Sequence, residues 1–418
     1  MEPVLFISAG EASGEHYGAL LAAELRRQLA AAGRPAKLIG MGGPRMEAAG
    51  VERIVRAEDV AVMGFTEIVS HLPRIYREFR RLKQAIRSRR PAVAVLIDFP
   101  EIHFRLAREF HRLGIPVVYF VSPQIWAWKE HRIRLVREYV RRMLVIFPFE
   151  EPYYRERGVE AEFVGHPLAE LPAPTVSREE FARQNQLDPE RSWIGLLPGS
   201  RMKEIEANLP ETIEAAILLA HDSMERGDRE PQFIVPLAPT LTAEQRRAVA
   251  EMVAERCEKL TIRLVHEGSA SGSEQPITGG ARATLFHARA SVVASGTATV
   301  EAALIGNPFV VVYRVSPVTF AIAKRLVKVP HVAMANLIAG KEVVPELIQH
   351  DFTAANIVQQ LSPLLPDGPV RESMKRDLAA IQEALRVQSA NGPGSAQGAI
   401  GRVASAVVHE LNAVGPEA

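Results

Sequence analysis

The residues best placed to do chemistry in this chain stand where short apolar runs stop. Asp98 ends the run Ala92–Ile97. If that run is a central strand, Asp98 projects from its carboxyl edge, where a carboxylate can take the proton of a hydroxyl nucleophile. The same residue, two positions before Pro100, also reads as a turn or capping aspartate. Another run ends in ASGTATVE at Ala294–Glu301. There Ser295, Gly296 and Thr297 would open a helix with unpaired N–H groups and the positive end of its dipole, which suits a diphosphate. Glu301, one turn later, could accept bonds from ribose hydroxyls, and an N-capped structural helix accounts for the octapeptide equally well. A similar strand-to-helix loop holds Gly199, Ser200 and Arg201. Gly199 lets the backbone approach a ligand, while Arg201 offers a planar charged fork for phosphate oxygens; an ordinary turn with a solvated arginine is the competing account. Neither loop carries the dinucleotide or P-loop glycine pattern.

The first loop, Ala9–Glu15, supplies Glu11, Ser13, Gly14 and Glu15. Its small residues allow close approach, and its carboxylates suit sugar hydroxyls better than phosphate; Glu15 also reads as a first-turn charge facing a helix dipole. Trp126 and Trp128 share one loop and could wall an acyl chain or sugar face, or anchor a core. His16, His103 and His166 lack the close spacing of metal ligands, so no catalytic metal or cofactor is expected, and His166 before Pro167 reads as a hinge-packing residue. No nucleophile elbow of the G-x-S-x-G type is present. Ile68, Leu72, Ile75, Phe79, Leu82 and Ile86 recur at helical spacing among many arginines, a pattern that serves either packing on a sheet or contact with an anionic membrane. Pro73 places the start of that helix beside it. The apolar stretch before it, including Val62, Met63 and Phe65, favours lipid or acyl-chain contact.

These loops need elements to hold them. From Val4 onward, β-branched runs alternate with longer stretches of 3.6-residue period, which predicts parallel sheets covered by helices. Expected strands are Val4–Ser8, Lys37–Gly40, Ala92–Ile97, Pro116–Val121, Arg142–Phe147 and Glu162–Gly165, then Trp193–Leu197, Gln232–Pro236, Thr261–Val265, Ser291–Ala294 and Phe309–Tyr313. Expected helices in the first half are His16–Ala32, Arg74–Arg89, Ile102–Leu113 and Lys129–Val140. The proline-rich segment His166–Ser177 has linker composition, and the polar stretch Glu267–Gly280 reads as a surface loop. The expected domains are therefore 1–166 and 177–365, with helices in 366–418 packing back on the first domain or on a partner subunit. With 418 residues, two cores are the natural division. A formal charge of +1 predicts no bulk attraction for nucleic acid. The single cysteine, Cys257, excludes an intrachain disulfide framework and suits a reducing cytoplasm, where it reads as a packed or surface thiol. The amino terminus lacks the marks of a signal peptide, and no uncharged apolar run reaches the roughly 20 residues that span a bilayer.

Eight segments in order, AGEASGE at Ala9, GMGGPRM at Gly40, VMGFTEI at Val62, VSPQIWAW at Val121, FVGHPL at Phe163, LLPGSRMKEI at Leu196, ASGTATVEA at Ala294 and NLIAG at Asn336, resemble the lipid-A-disaccharide synthase family. The resemblance implies an α/β fold of GT-B type, with two Rossmann-like doubly wound domains facing a central cleft. It implies an inverting transferase that moves 2,3-diacylglucosamine from UDP-2,3-diacylglucosamine to the 6-hydroxyl of 2,3-diacylglucosamine 1-phosphate, releasing UDP. Asp98 matches the family's aspartate, and Arg201, Ser295, Gly296, Thr297, Glu301 and Asn336 fall in donor-binding motifs. A homodimer, peripheral on the cytoplasmic face of the inner membrane, is also implied. Glu15, Glu101 and His103 depart from the family's usual Asp, Asp or Gly, and Asn. A UDP-sugar epimerase, a non-enzymatic nucleotide-sugar sensor and, more remotely, a nicotinamide dehydrogenase are the competing readings.

Overall fold

Runs that read as near-continuous Val, Ile and Leu become strands covered on both faces, the usual environment of a parallel sheet. The structure, a computed structural model, describes residues 2–60, 65–257, 260–266, 280–317, 320, 324–325, 327, 329–387 and 397–414. The first sheet contains β1 (Val4–Ala9), β2 (Lys37–Gly42), β3 (Glu52–Arg56), β4 (Val93–Ile97), β5 (Val117–Phe120), β6 (Arg142–Val145) and β7 (Ala161–Phe163), in spatial order β3-β2-β1-β4-β5-β6-β7. The second contains β8 (Trp193–Leu197), β9 (Gln232–Pro236), β10 (Ile262–Val265), β11 (Ala290–Ala294), β12 (Phe309–Tyr313) and β13 (Glu346–Ile348), in order β10-β9-β8-β11-β12-β13. Every strand pairing is parallel. In each sheet the order reverses beside its first strand. Ligands of open α/β sheets bind outside the carboxyl ends of the strands at such a reversal. It lies between β1 and β4 in one sheet and between β8 and β11 in the other.

The chain divides into two compact units, Met1–Glu170 with Leu385–Ala418, and Leu171–Ala384. The segment 366–418 is thus shared: the helix Pro369–Ala384 lies in the second unit and the helix Ala399–Ala413 in the first. That last helix packs along the helix Ala12–Ala31 and buries Val403, Ala404, Val407 and Leu411. Arg402 fastens its start, donating from Nε to the Val164 carbonyl at 2.8 Å and pairing with Glu170 at 3.2 Å.

Several elements differ from expectation. The helix expected from Arg74 runs Phe65–Arg89, with Pro73 inside it. A proline there removes one backbone hydrogen bond, which the rest of a 25-residue helix can carry. Lys129–Val140 divides into a 3₁₀ turn, Glu130–Arg132, and the helix Ile133–Tyr139. The strands β3 and β13 were not expected. Of the polar loop, 267–279 lies outside the described residues, and Gly280 begins the helix Gly280–His287. Cys257 is half-buried just past the helix Ala243–Arg256.

Candidate functional site

In the first unit the reversal brings two expected loops side by side. The registers Leu5↔Val93 through Ala9↔Ile97 make β1 and β4 end together, so Gly10–Glu11 and Asp98–Phe99 leave the sheet as neighbours. Gly10 is required here, because a Cβ on it would lie 2.2 Å from the Phe99 ring. Asp98 and Phe99 both have φ of 51°, in the left-handed region. That conformation costs side-chain-bearing residues roughly 1–2 kcal/mol each. The Asp98 N–H bonds the Phe120 carbonyl at 3.0 Å, and its own carbonyl accepts from Tyr119 Oη at 2.6 Å and His103 Nδ1 at 2.5 Å. Burial, together with the nearby charge of Glu11, raises the Asp98 carboxyl to about 7, against the opposing hydrogen bond from the Phe99 N–H. A partly exposed carboxyl with that affinity can accept a proton near neutral pH.

The rest of the first loop divides its labour. Glu11 is exposed, Ser13 half-buried and Gly14 buried against Ile97. Glu15 is engaged locally: its Oε1 accepts from the N–H of Arg45 at 2.7 Å and of Met46 at 3.2 Å, capping the helix Pro44–Ala48. Trp126 is held by a buried carboxylate, donating from Nε1 to Glu150 at 3.0 Å and meeting Phe149 edge-on at 4.9 Å. Trp128 is exposed, with Lys129 Nζ 3.7 Å from its ring centre. Glu101 pairs with Lys129 at 3.0 Å and Arg132 at 2.9 Å, tying that loop to the start of the helix Pro100–Arg112. Val62 and Met63 lie outside the described residues, and so does the side chain of Phe65. From Ile75 the apolar stripe packs on the core, where Leu82 and Ile86 are buried. His166 is buried beside Tyr17 and Phe147, and burial lowers it to about 3.

In the second unit the reversal collects the two loops expected to hold phosphate. Leu197 pairs with Val293, so Pro198–Arg201 after β8 adjoins Ser295–Thr297 after β11. Gly296 and Thr297 are exposed at the start of the helix Thr297–Ile305, with Gly296 at φ 147°, and Glu301 is half-buried further along it. Gly199 has φ 130°. Glu204 reaches back so that its Oε2 accepts from the N–H of Ser200 at 3.0 Å and of Arg201 at 3.4 Å. The Arg201 side chain is exposed and lies 3.8 Å from the other Glu204 oxygen. Asn336 is fully buried and occupied: its Oδ1 accepts from Val343 and Val344, and its Nδ2 donates to the Val344 carbonyl and to Glu346. It therefore ties the helix Met334–Ala339 to the turn before β13. Sequence reasoning missed Tyr313. Burial raises its hydroxyl, the charge of Glu204 adds to that rise and Arg201 opposes it, so this residue at the end of β12 belongs beside the arginine loop.

The only cluster of metal-ligating types among the described residues, His221, Asp222 and Glu225, lies on the helix Met202–Glu225 and not on these loops. Two parallel, doubly wound sheets, each reversing beside its first strand, define an α/β fold of GT-B type. The fold resembles a solved calicheamicin glycosyltransferase (TM-score 0.56, 18% identity, 100% of both chains) and a UDP-GlcNAc 2-epimerase from Neisseria meningitidis bound to UDP-GlcNAc (TM-score 0.54, 11% identity, 99% of this chain and 100% of that one). Fold alone thus leaves transferase and epimerase side by side. Sequence separates them. Residues 5–400 match the Lipid-A-disaccharide synthetase family, and a lipid-A-disaccharide synthase of Acidobacterium capsulatum is 57% identical over 98% of this chain and 96% of its own length. The chain belongs to the lipid-A-disaccharide synthase family.

Proposed function

We propose that the chain transfers 2,3-diacylglucosamine from UDP-2,3-diacylglucosamine to the 6-hydroxyl of 2,3-diacylglucosamine 1-phosphate, with inversion, giving the β-1,6 disaccharide and UDP. Within a family of this activity, the observation that carries the mechanism is the Asp98 carboxyl at the sheet reversal, raised to about 7. In this reading Asp98 removes the proton of the acceptor hydroxyl as its oxygen attacks the anomeric carbon. Arg201, the Ser295 hydroxyl and the N–H groups of Gly296 and Thr297 stabilise the charge that gathers on the departing diphosphate, while the Ser295 N–H stays bonded to the Val312 carbonyl and Glu301 holds the ribose. Gly199 and Ser200 give the diphosphate room and a donor. Glu11, Ser13, Gly14 and, if it leaves its cap, Glu15 serve the acceptor sugar. Asn336 acts from behind, by fixing its helix. No metal or cofactor is needed for the displacement.

No helix among the described residues is long and apolar enough to cross a membrane. The acylated substrates therefore call for peripheral contact with the inner membrane, from its cytoplasmic face. In support of a surface role, the helix Phe65–Arg89 exposes Arg74, Arg77, Arg80, Arg81 and Arg87, and an open groove on it is lined by Tyr76, Arg80, Lys83 and Arg87. Basic residues of this kind favour anionic lipid. Val62, Met63, Phe65 and Trp126 would meet lipid or acyl chains, and the enzyme would act as a homodimer. The deciding experiment incubates the protein with both substrates and follows disaccharide by mass. Asp98→Asn should bind UDP normally and form disaccharide roughly 100- to 10,000-fold more slowly; a folded variant of wild-type turnover would dismiss Asp98 as the base.

A further inference from the structure

Asp98 and Phe99 stand together in left-handed backbone with no glycine to make it easy. Such a turn persists only where its surroundings over-determine it. Its surroundings are unusually specific. The Asp98 carbonyl has two lone pairs, and both are used: one by Tyr119 Oη at 2.6 Å, from β5, the other by His103 Nδ1 at 2.5 Å, from the helix that follows. The far nitrogen of the same ring, Nε2, lies 2.8 Å from Ser8 Oγ on β1. Ser8, His103 and Tyr119 are all fully buried.

We propose that His103 is a positioning residue for the transfer reaction, holding the Asp98 peptide in its turn through Nδ1 so that the carboxylate points at the acceptor hydroxyl. A carbonyl oxygen only accepts, so Nδ1 carries the ring hydrogen and donates it; Nε2 then accepts from the Ser8 hydroxyl. Burial lowers His103 to about 4, which keeps the ring neutral and this arrangement single across ordinary pH. The chain Ser8 to His103 to Asp98 joins β1, the turn after β4 and the following helix, and Tyr119 adds β5. His103 touches the backbone of Asp98 and acts on its carboxylate only by orienting it. Turning that peptide would move the carboxylate, and a misplacement near 1 Å can cost about 100-fold in rate.

The inference rests on Asp98 as the base, and its test separates the two ideas. An asparagine amide reproduces the position of Nδ1 and can keep the bond to Asp98 while losing Ser8; a glutamine amide reproduces Nε2 and does the reverse. Each variant forfeits one buried hydrogen bond, so His103→Asn and His103→Gln should lose similar thermal stability. Their turnover should differ. His103→Gln should lower kcat roughly 10- to 100-fold with KM for both substrates nearly unchanged, whereas His103→Asn should stay within about 3-fold of the wild type. Equal kcat in the two folded variants would reduce His103 to a core filler. If neither folds, Tyr119→Phe tests the same idea, since it deletes the carbonyl's other donor and nothing else: a fall in kcat at constant KM supports the proposal that holding this peptide sets the rate, and unchanged kcat overturns it. Asp98→Asn, measured alongside, isolates the other failure. Should it keep wild-type turnover, the base assignment fails; should it be inactive while the His103 pair are equal, only the positioning role fails.

Discussion

Burial and the Glu11 charge lift the Asp98 carboxyl from 3.8 to about 7, so the fraction able to accept a proton changes across neutral pH. Only the ionised form is a base. The rate at low substrate should therefore fall on the acid side of an apparent pKa near 7. Glu11→Gln removes a like charge, which favours ionised Asp98 and moves that limb to lower pH; an unmoved limb in a pH profile of kcat/KM would mean that Glu11 does not act on the base. In the second unit Arg201→Ala should weaken UDP binding in calorimetry and reduce turnover roughly 100-fold or more, as loss of a charge partner to a leaving group does. Unchanged affinity and rate would take Arg201 out of donor binding. The sequence made these residues visible because each ends an apolar run. It marked His103 as a departure from the family pattern without showing that the ring bonds a backbone carbonyl, it hid Tyr119 on the same carbonyl, and it did not show that the Asn336 amide is fully engaged within its own unit.

Among the elements, the central strands were the most readable. Trp193–Leu197, Gln232–Pro236 and Phe309–Tyr313 have the same bounds in sequence and structure, because strands covered on both faces must be apolar throughout. The edge strands β3 and β13 are short and carry Glu52, Arg53, Arg56 and Glu346, so no such run marks them. The loop with two tryptophans reads as apolar, yet what orders it is a buried carboxyl. Glu150 is buried and accepts from Ser122 Oγ, Trp126 Nε1 and the Phe147 N–H, while burial still raises its carboxyl to about 7. Nothing local in the sequence announces a carboxylate acting 24 residues away from Trp126. Glu150→Ala strands these donors and should cost about 2–4 kcal/mol, by a lost buried network. It should also free Trp126, seen as a red shift of tryptophan emission before global unfolding. Emission and stability matching the wild type would leave the loop ordered by packing alone.

For the whole molecule, the consequential feature is that the first unit is completed by the far end of the described chain, whereas the second is one continuous segment, Leu171–Ala384. The helix Ala399–Ala413 buries Val403, Val407 and Leu411 in the first unit. At about 1.5–3 kcal/mol for each such side chain, its removal withdraws roughly 5–9 kcal/mol. That is comparable to the 5–15 kcal/mol or so that holds a typical domain folded. A chain ending before residue 397 also loses the pairing of Arg34 with Asn412 and of Arg402 with Glu170, and leaves the helix Ala12–Ala31 without its neighbour. The first unit should then fail to fold while the second, which keeps both loops proposed to hold the diphosphate, survives. Limited proteolysis should yield a resistant fragment beginning near Leu171, and this truncated protein should bind UDP within a few-fold of the full chain yet make no disaccharide. A truncated chain that melts in one transition at the wild-type temperature would show that the helix adds little to the first unit; loss of UDP binding together with loss of activity would show that the second unit does not stand alone.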